Sequence, residues 1–337
     1  MFFGSLFGSK SAAVTPVAET RSDRAWLCLQ GLMTAPESRR LHLGEVIEYS
    51  RRSPDKESPN EDAFGIFAPT DRSLILVVAD GVGGRRGGEE AARIVVETFA
   101  RVLNHFQWRQ SARGVVATET EAITLRTAIL NAIETANEEI IKLGTGAAST
   151  VAVVEIQNQT LRTYHVGDSL IMLVGQRGKV KLRTVSHSPV GFAQEAGMLE
   201  ANEAMHHSER HIVFNVVGSN EMWIEMGSPV EIAPRDTLIL SSDGLSDNLL
   251  EDEIVEIIRK GPLKESVQHM TEITRERMEH HVEGRPNKPD DTTILAFRRL
   301  RKKAVTRKKR KPTPPVSPAA PLEQPQVASS EKAESLV

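Results

Sequence analysis

Two short apolar runs, residues 74–79 and 237–241, each lead into an aspartate followed by glycine: Asp80-Gly81 and Asp243-Gly244. Runs this short and this rich in Val, Ile and Leu read as buried strands. Carboxylates therefore stand where strands stop. Others stand where strands begin: Asp290 and Asp291 before a last strand at 292–297, Glu61 and Asp62 before the segment 63–67. In an antiparallel sheet the start of one strand lies beside the end of its neighbour, so these acids can converge on one rim. Asp168, in the turn Gly167-Asp168-Ser169, can join them.

The remaining periodicity supports that arrangement. Ala91, Val95, Phe99 and Val102 follow a helical period over 88–103, as do Ala122, Leu125, Ile129, Ile133, Ala136 and Ile140 up to a stop at Gly144. Hairpin-linked strands are expected at 150–156, 161–166, 170–174 and 180–185, and further strands at 212–217 and 237–241. A helix over 252–260 opens on Glu251, Asp252 and Glu253 and closes on Arg259 and Lys260 before Gly261-Pro262, which suits its dipole. Another is expected over 264–282. Strands in hairpins with helices in pairs predict an α+β fold of layered antiparallel sheets, not an alternating parallel one.

Composition sets the outer limits. With 39% hydrophobic residues in 337, the chain is not wholly disordered. A single cysteine, Cys28, excludes an internal disulfide framework and a cysteine-based zinc or iron–sulfur site. No run of about 18 apolar residues predicts a membrane span. Phe2, Phe3, Leu6 and Phe7 have no basic region before them, so a cytoplasmic protein without a cleaved secretory signal is expected.

Residues 1–40 show no sustained period and read as a loosely ordered arm; 41–299 read as one domain. Ten of the fourteen residues 298–311 are Lys or Arg, and six prolines follow between Pro312 and Pro325. Residues 300–337 are therefore expected to be a disordered tail, basic and then proline-rich. Against a net charge of -3 overall, residues 1–297 carry -11. An acidic body with a basic stalk suits an anionic partner of the stalk, although the stalk has no aromatic residue on which a base can stack. A monomer is expected.

Several uncompensated carboxylates on one rim raise one another's pKa values, and bound cations remove that penalty. All-oxygen ligation suits Mg²⁺ or Mn²⁺ better than zinc. Five or more acids suggest two ions; a pair about 3.5 to 4 Å apart activates water and clamps a phosphoryl group for in-line attack. The glycines after Asp80 and Asp243 allow tight turns in which a backbone carbonyl can reach an ion. The glycine run at 81–88 is not a nucleotide loop, because Gly-x-Gly-x-x-Gly fails at Arg86 and no Gly-Lys-Ser/Thr follows. His187, His206, His207, His211, His280 and His281 lack His-Glu-x-x-His spacing and are expected on the surface or in a flap.

Six motifs in order carry a family resemblance: Asn60-Glu61-Asp62, Val78-Ala79-Asp80-Gly81-Val82-Gly83-Gly84, Ala148-Ser149-Thr150, Val166-Gly167-Asp168-Ser169, Ser241-Ser242-Asp243-Gly244-Leu245-Ser246-Asp247 and Pro289-Asp290-Asp291-Thr292-Thr293. The chain resembles the protein phosphatase 2C family of metal-dependent Ser/Thr phosphatases over about 45–299. The resemblance implies a four-layer α-β-β-α sandwich of two antiparallel sheets flanked by helices, with a dinuclear Mg²⁺ or Mn²⁺ site at one end. It implies that Asp80 bridges the ions, that the Gly81 carbonyl, Glu61, Asp62, Asp243 and Asp290 complete the protein ligands, and that Asp168 holds a looser third ion. Asp291 falls where many members have Asn and supports the site. The implied reaction is hydrolysis of phosphoserine and phosphothreonine by a metal-bridging hydroxide, with Asp80 and Asp243 acting through metal-bound water. The implied partners are phosphoprotein substrates and a Ser/Thr kinase.

Three positions depart from the family pattern. Glu57 stands where an Arg often holds substrate phosphate, and Arg51, Arg52 or Lys56 is expected to substitute; Arg85 and Arg86 are further candidates for that contact. Val82 replaces a His proposed as general acid in many members. Leu170 replaces the usual Arg after Gly-Asp-Ser. The segment 186–210 falls where the family has a mobile flap. The missing Arg and His keep a second reading open, a catalytically silent adaptor of the same fold that binds phosphoproteins or a kinase, and the basic stalk a third, a two-metal phosphodiesterase.

Overall fold

The computed structural model describes residues 24–82, 87–113, 119–204, 207–280 and 284–299. Two antiparallel sheets face each other. The first is ordered β1 (Ala25–Leu29), β4 (Asp62–Thr70), β5 (Ser73–Val82), β7 (Val151–Gln157), β8 (Thr160–Val166) and β11 (Glu225–Met226), with β6 (Ala148–Ser149) on β5 and β12 (Val230–Glu231) on β8. The second is ordered β10 (Val180–Arg183), β9 (Leu170–Val174), β13 (Thr237–Ser241), β14 (Thr292–Arg299), β3 (Gly44–Arg51) and β2 (Glu37–Arg40).

Strand alternation assigns each side chain to a layer. On β5, Ile75, Val77 and Ala79 pack with Ala91, Val95 and Phe99 of α1 (Gly88–Arg113) and with Leu125 and Ile129 of α2 (Glu119–Leu143). The intervening Leu74, Leu76 and Val78 meet Leu238, Leu240, Leu295 and Phe297 of the second sheet. That sheet turns Ile239, Ile294 and Ala296 outward onto Ile254 and Ile258 of α6 (Glu251–Ile258) and Val267 and Met270 of α7 (Leu263–Glu279). Each such Leu, Ile or Phe, fully withdrawn from water, contributes about 1.5 to 3 kcal/mol. The result is the α-β-β-α sandwich. Three further helices are short, α3 (Pro189–Glu195), α4 (Ala201–Ala204) and α5 (Asp243–Ser246), and Leu245 of α5 packs with α6 and α7 on the second sheet.

Two sequence expectations are corrected. The described part of the expected arm, residues 24–40, is not loose: β1 pairs with β4 from Ala25↔Phe67 to Leu29↔Ala63, and β2 pairs with β3. Ala25, Leu27 and Leu29 face the helical layer while Trp26 and Cys28 face the core between the sheets, so this edge strand is apolar on both sides and shows no alternation. Residues 212–217 form no strand beyond a single bridge from Val217 to Ser149. There the Asn215 amide binds the Trp223 backbone, donating to its carbonyl at 2.8 Å and accepting from its N–H at 3.1 Å. A side chain has taken over what a ladder would have supplied. Residues 1–23 and the tail 300–337 lie outside the described residues. Among those described, no helix is long and apolar enough to cross a membrane.

Candidate active site

The carboxylates meet where the ends of β5 and β13 approach the starts of β4 and β14. Asp62 and Asp80 are direct partners across β4 and β5, an arrangement that like charges oppose. Asp80 is held through its backbone: its carbonyl accepts from Ser149 Oγ at 2.9 Å and Thr150 N at 2.8 Å, and its N–H donates to Thr150 Oγ1 at 3.3 Å. Asp62 is 2% exposed. Its Oδ2 accepts from Ser242 Oγ of the opposite sheet at 2.7 Å, and Ser242 Oγ in turn accepts from Thr293 N at 3.0 Å. This relay ties both sheets together directly beneath the acids.

The glycines after the two aspartates serve proximity more than turning. Neither has a positive φ. A Cβ on Gly81 would stand 2.1 Å from the Gly88 carbonyl oxygen and 2.8 Å from that of Glu61, and one on Gly244 only 1.9 Å from that of Asp291. Any side chain at either position would push the Glu61 or Asp291 segment off the site.

Asp291 is spent on structure. Its Oδ1 accepts from Ser53 N at 2.8 Å, and its Oδ2 from Glu61 N at 2.6 Å and Lys56 Nζ at 2.7 Å. Lys56 Nζ also lies 2.5 Å from Glu61 Oε2. At the other end Lys288 Nζ reaches Oδ2 of Asp243, Asp247 and Asp290 at 2.7, 2.6 and 3.1 Å. Burial alone would lower both ammonium pKa values; the facing carboxylates instead hold them above the ordinary lysine value.

The acids are pushed the opposite way. Loss of water, followed by the charges of Asp62, Asp243, Asp290 and Asp168, raises Asp80 well above the usual carboxylate range. Loss of water and Asp291 do the same to Asp62. Asp168 is raised to about 8 and Asp247 to about 6, in both by withdrawal from water and then by Asp243, and Asp290 to about 7 for the same reasons. Seven carboxylates, Asp62, Asp80, Asp168, Asp243, Asp247, Asp290 and Asp291, thus sense one another across five separated stretches of chain, and the expected Glu61, Asp62, Asp80, Asp168, Asp243 and Asp290 are gathered on one rim. Asp247 and Lys288 were not among the expected site residues. Asp247 was legible in principle, since it follows Asp243 by four residues and α5 is one helical turn.

Beside the cluster a cavity of about 140 Å³ is lined by Asp168, Asp243, Asp247, Ser188, Arg183 and Arg210 among others, which sets the segment expected as a flap next to the acids. His187 begins that segment and is not a surface residue: it is 0% exposed and stacks on His165, with ring centroids 4.4 Å apart. Its Nδ1 accepts from Gly167 N at 3.1 Å and Asn215 Nδ2 at 2.8 Å, which leaves Nε2–H to donate to Glu225 at 3.2 Å. His165, His187 and Glu225 also lie close enough to share a cation, but these hydrogen bonds already account for both His187 nitrogens.

Of the residues expected to hold phosphate, Arg51 lines a small cavity with Tyr49, Thr271, Arg275 and Met278 toward α7. Arg52 donates to the Glu57 and Ser58 carbonyls. Neither is brought into the carboxylate cluster, and Arg85 and Arg86 lie outside the described residues. The strand face that Arg51 shares with Tyr49 points away from the acids; Lys56 supplies the nearby cation instead.

The chain matches the family model described as protein phosphatase 2C over residues 51–283. A serine/threonine phosphatase stp of Listeria innocua is 30% identical over 208 residues, which cover 59% of this chain and 77% of that one. The serine/threonine phosphatase of S. agalactiae has a similar structure, with a TM-score of 0.61 and 24% identity over 76% of this chain and 99% of that one. The catalytic domain of PstP, solved with two manganese ions, aligns with a TM-score of 0.57 and 21% identity over 75% and 96%. With the acids at the strand ends, the sandwich beneath them and a family match over most of the folded body, the chain belongs to the protein phosphatase 2C family of protein serine/threonine phosphatases.

Proposed function

We propose that the chain hydrolyses phosphoserine and phosphothreonine in proteins with a pair of Mn²⁺ or Mg²⁺ ions held by Asp80, Glu61, Asp62, Asp243, Asp290 and the Gly81 carbonyl. The observation that carries this reading is Asp62. It is buried opposite Asp80, and its Oδ1 finds no hydrogen-bond partner among the described residues, although an orphaned buried acceptor costs about 1 to 3 kcal/mol. The donor set is oxygen throughout, which suits hard divalent ions, and PstP of the same fold carries two manganese ions. Such a pair lowers the pKa of water and neutralises charge on a transferring phosphoryl group.

The chain's own residues do the rest. Ser242 orients Asp62, Ser149 and Thr150 orient Asp80, and Asp291 with Lys56 fixes Glu61. The cavity beside Asp168 and Asp243 gives a phosphorylated side chain access, and Arg183 and Arg210 on its walls favour an anion there. The test is release of phosphate from a phosphoserine peptide. The expected result is turnover with Mn²⁺ that EDTA abolishes; full turnover in EDTA defeats the metal-dependent reading, and binding of the peptide without turnover at any Mn²⁺ concentration establishes the silent adaptor in its place.

A further inference from the structure

Lys288 lies inside the carboxylate cluster, on a segment whose sequence reads Arg285-Pro286-Asn287-Lys288-Pro289. We propose that its ammonium serves as this chain's own third cation, so that the cluster takes up two divalent ions where Asp168 would otherwise help hold a third. The proposal rests on the metal-dependent reading above.

The first support is stoichiometric. A lysine ammonium has three N–H donors, and here three carboxylates, Asp243, Asp247 and Asp290, each offer it Oδ2, at 2.7, 2.6 and 3.1 Å. The side chain is 23% exposed, and lysines this withdrawn from water need such pairing. Asp243 and Asp247 also line one cavity together with Asp168. A cation at Asp168 would have to draw on the same two carboxylates, and the ammonium already occupies one oxygen of each.

The second support is anchoring. The Asn248 side chain brackets the lysine backbone, accepting from Lys288 N at 3.0 Å and donating to Lys288 O at 2.8 Å. The same amide donates to the Gly244 carbonyl at 2.9 Å, so the segment that presents the lysine is tied to the turn that presents Asp243 and Asp247. Asn248 is fully buried, and its carbonyl accepts from Arg277 at 2.5 Å. Pro286 and Pro289 restrict the backbone on both sides. A flexible lysine gives up side-chain freedom to form an ion pair; this one starts from a backbone already fixed, so its charge is a standing part of the site.

Equilibrium dialysis of the full chain against Mn²⁺, with metal counted by mass spectrometry, tests the assignment without reference to turnover. The wild type is expected to hold about two ions, Lys288→Met about three, and Lys288→Met combined with Asp168→Asn about two again. A wild type that holds three, or a folded Lys288→Met that stays at two, overturns the assignment and leaves the metal-dependent reading standing; a wild type that holds none overturns that reading as well. Asp168→Asn alone, in the wild-type background, keeps the test decisive if the lysine variant fails to fold. Its manganese count and affinity should stay within about twofold of wild type, and loss of an ion would refute the proposal.

Discussion

The two ends of the carboxylate cluster are balanced by different means. At the β4–β5 end, Asp62 and Asp80 face each other across neighbouring strands, and among the described residues no lysine bonds to either and Asp62 Oδ1 is unpartnered. At the α5–β14 end, Lys288 bonds to three acids at once. A rigid sheet fixes the first pair, so repulsion there cannot be relieved by movement and waits on a cation from outside. The short helix α5 and the loop before β14 supply the second end, and a lysine on that loop relieves it from within. The site is divided into an end that must be filled and an end that is already partly compensated.

The largest effect should follow from emptying the uncompensated end. Asp80→Asn removes the charge that faces Asp62 and is central to the proposed metal pair. Phosphopeptide turnover should fall by on the order of 10³-fold, comparable to losing a principal electrostatic element of an active site. In EDTA the same variant should melt at a higher temperature than wild type, because one of two opposed charges, the part-buried one, is gone. A variant that loses activity yet melts lower in EDTA would show that Asp80 is not under repulsion.

Acidity probes both ends together. Asp168, Asp247 and Asp290 have folded pKa values of about 8, 6 and 7, above their unfolded value of 3.8, and Asp62 and Asp80 are raised in the same sense. Over that window the folded chain binds more protons than the unfolded one, so stability falls as pH rises. Without divalent ions the melting temperature should drop by roughly 5 °C or more between pH 5 and pH 8. Saturating Mn²⁺ should flatten the slope, and an equal slope with and without metal would remove the grounds for cation binding.

A smaller loss is expected at Lys56, which compensates Glu61 and Asp291 on the rim beside the uncompensated pair. Lys56→Met leaves Asp291 buried with an unpaired charge, although Ser53 and Glu61 backbone N–H groups still bind it. The cost should be about 2 to 3 kcal/mol, below that of a fully buried pair because the lysine keeps part of its surface in water. Urea denaturation measures it; a change under about 0.5 kcal/mol would place the compensation in the backbone hydrogen bonds alone.

What the sequence made legible divides along similar lines. Asp80 and Asp243 were visible because each closes a strand with strong apolar content, and the layered antiparallel fold followed from the change of period after Gly144. The compensating lysines were not visible as such. Lys288 sits between two prolines and reads as loop, and Asn248, forty residues earlier in the chain, fixes its backbone. Strand β1 was hidden for the opposite reason: Trp26 and Cys28 face one core and Leu27 and Leu29 another, so burial on both sides erased the alternation that marks a strand. At 212–217 the β-branched apolar run misled, because Asn215 binds the Trp223 backbone and leaves Phe214 to stack against the Trp223 ring. Patterns report burial well, and long-range polar contacts poorly.

The smallest expected effect concerns the support of the lysine-balanced end. His187 accepts from the Gly167 amide beside Asp168 and from Asn215, and both bonds need its Nδ1 unprotonated. Burial lowers the His187 pKa below its ordinary value, against the pull of Glu225, and His165 beneath it is lowered to about 4 by burial and by His187. The unfolded chain therefore binds more protons than the folded one below about pH 6.5, and this contribution to stability is lost as pH falls, the reverse of the carboxylate trend. His187→Phe keeps a ring in the stack but gives Gly167 and Asn215 no acceptor, at a cost of about 1 to 2 kcal/mol. With Mn²⁺ saturating, so that the carboxylate slope is suppressed, wild type should lose stability from pH 6.5 toward pH 5 and the variant should lose less. If both fall in parallel, the histidine does not set the acid limit and the turn carrying Asp168 is held by its neighbours on β8 and β9.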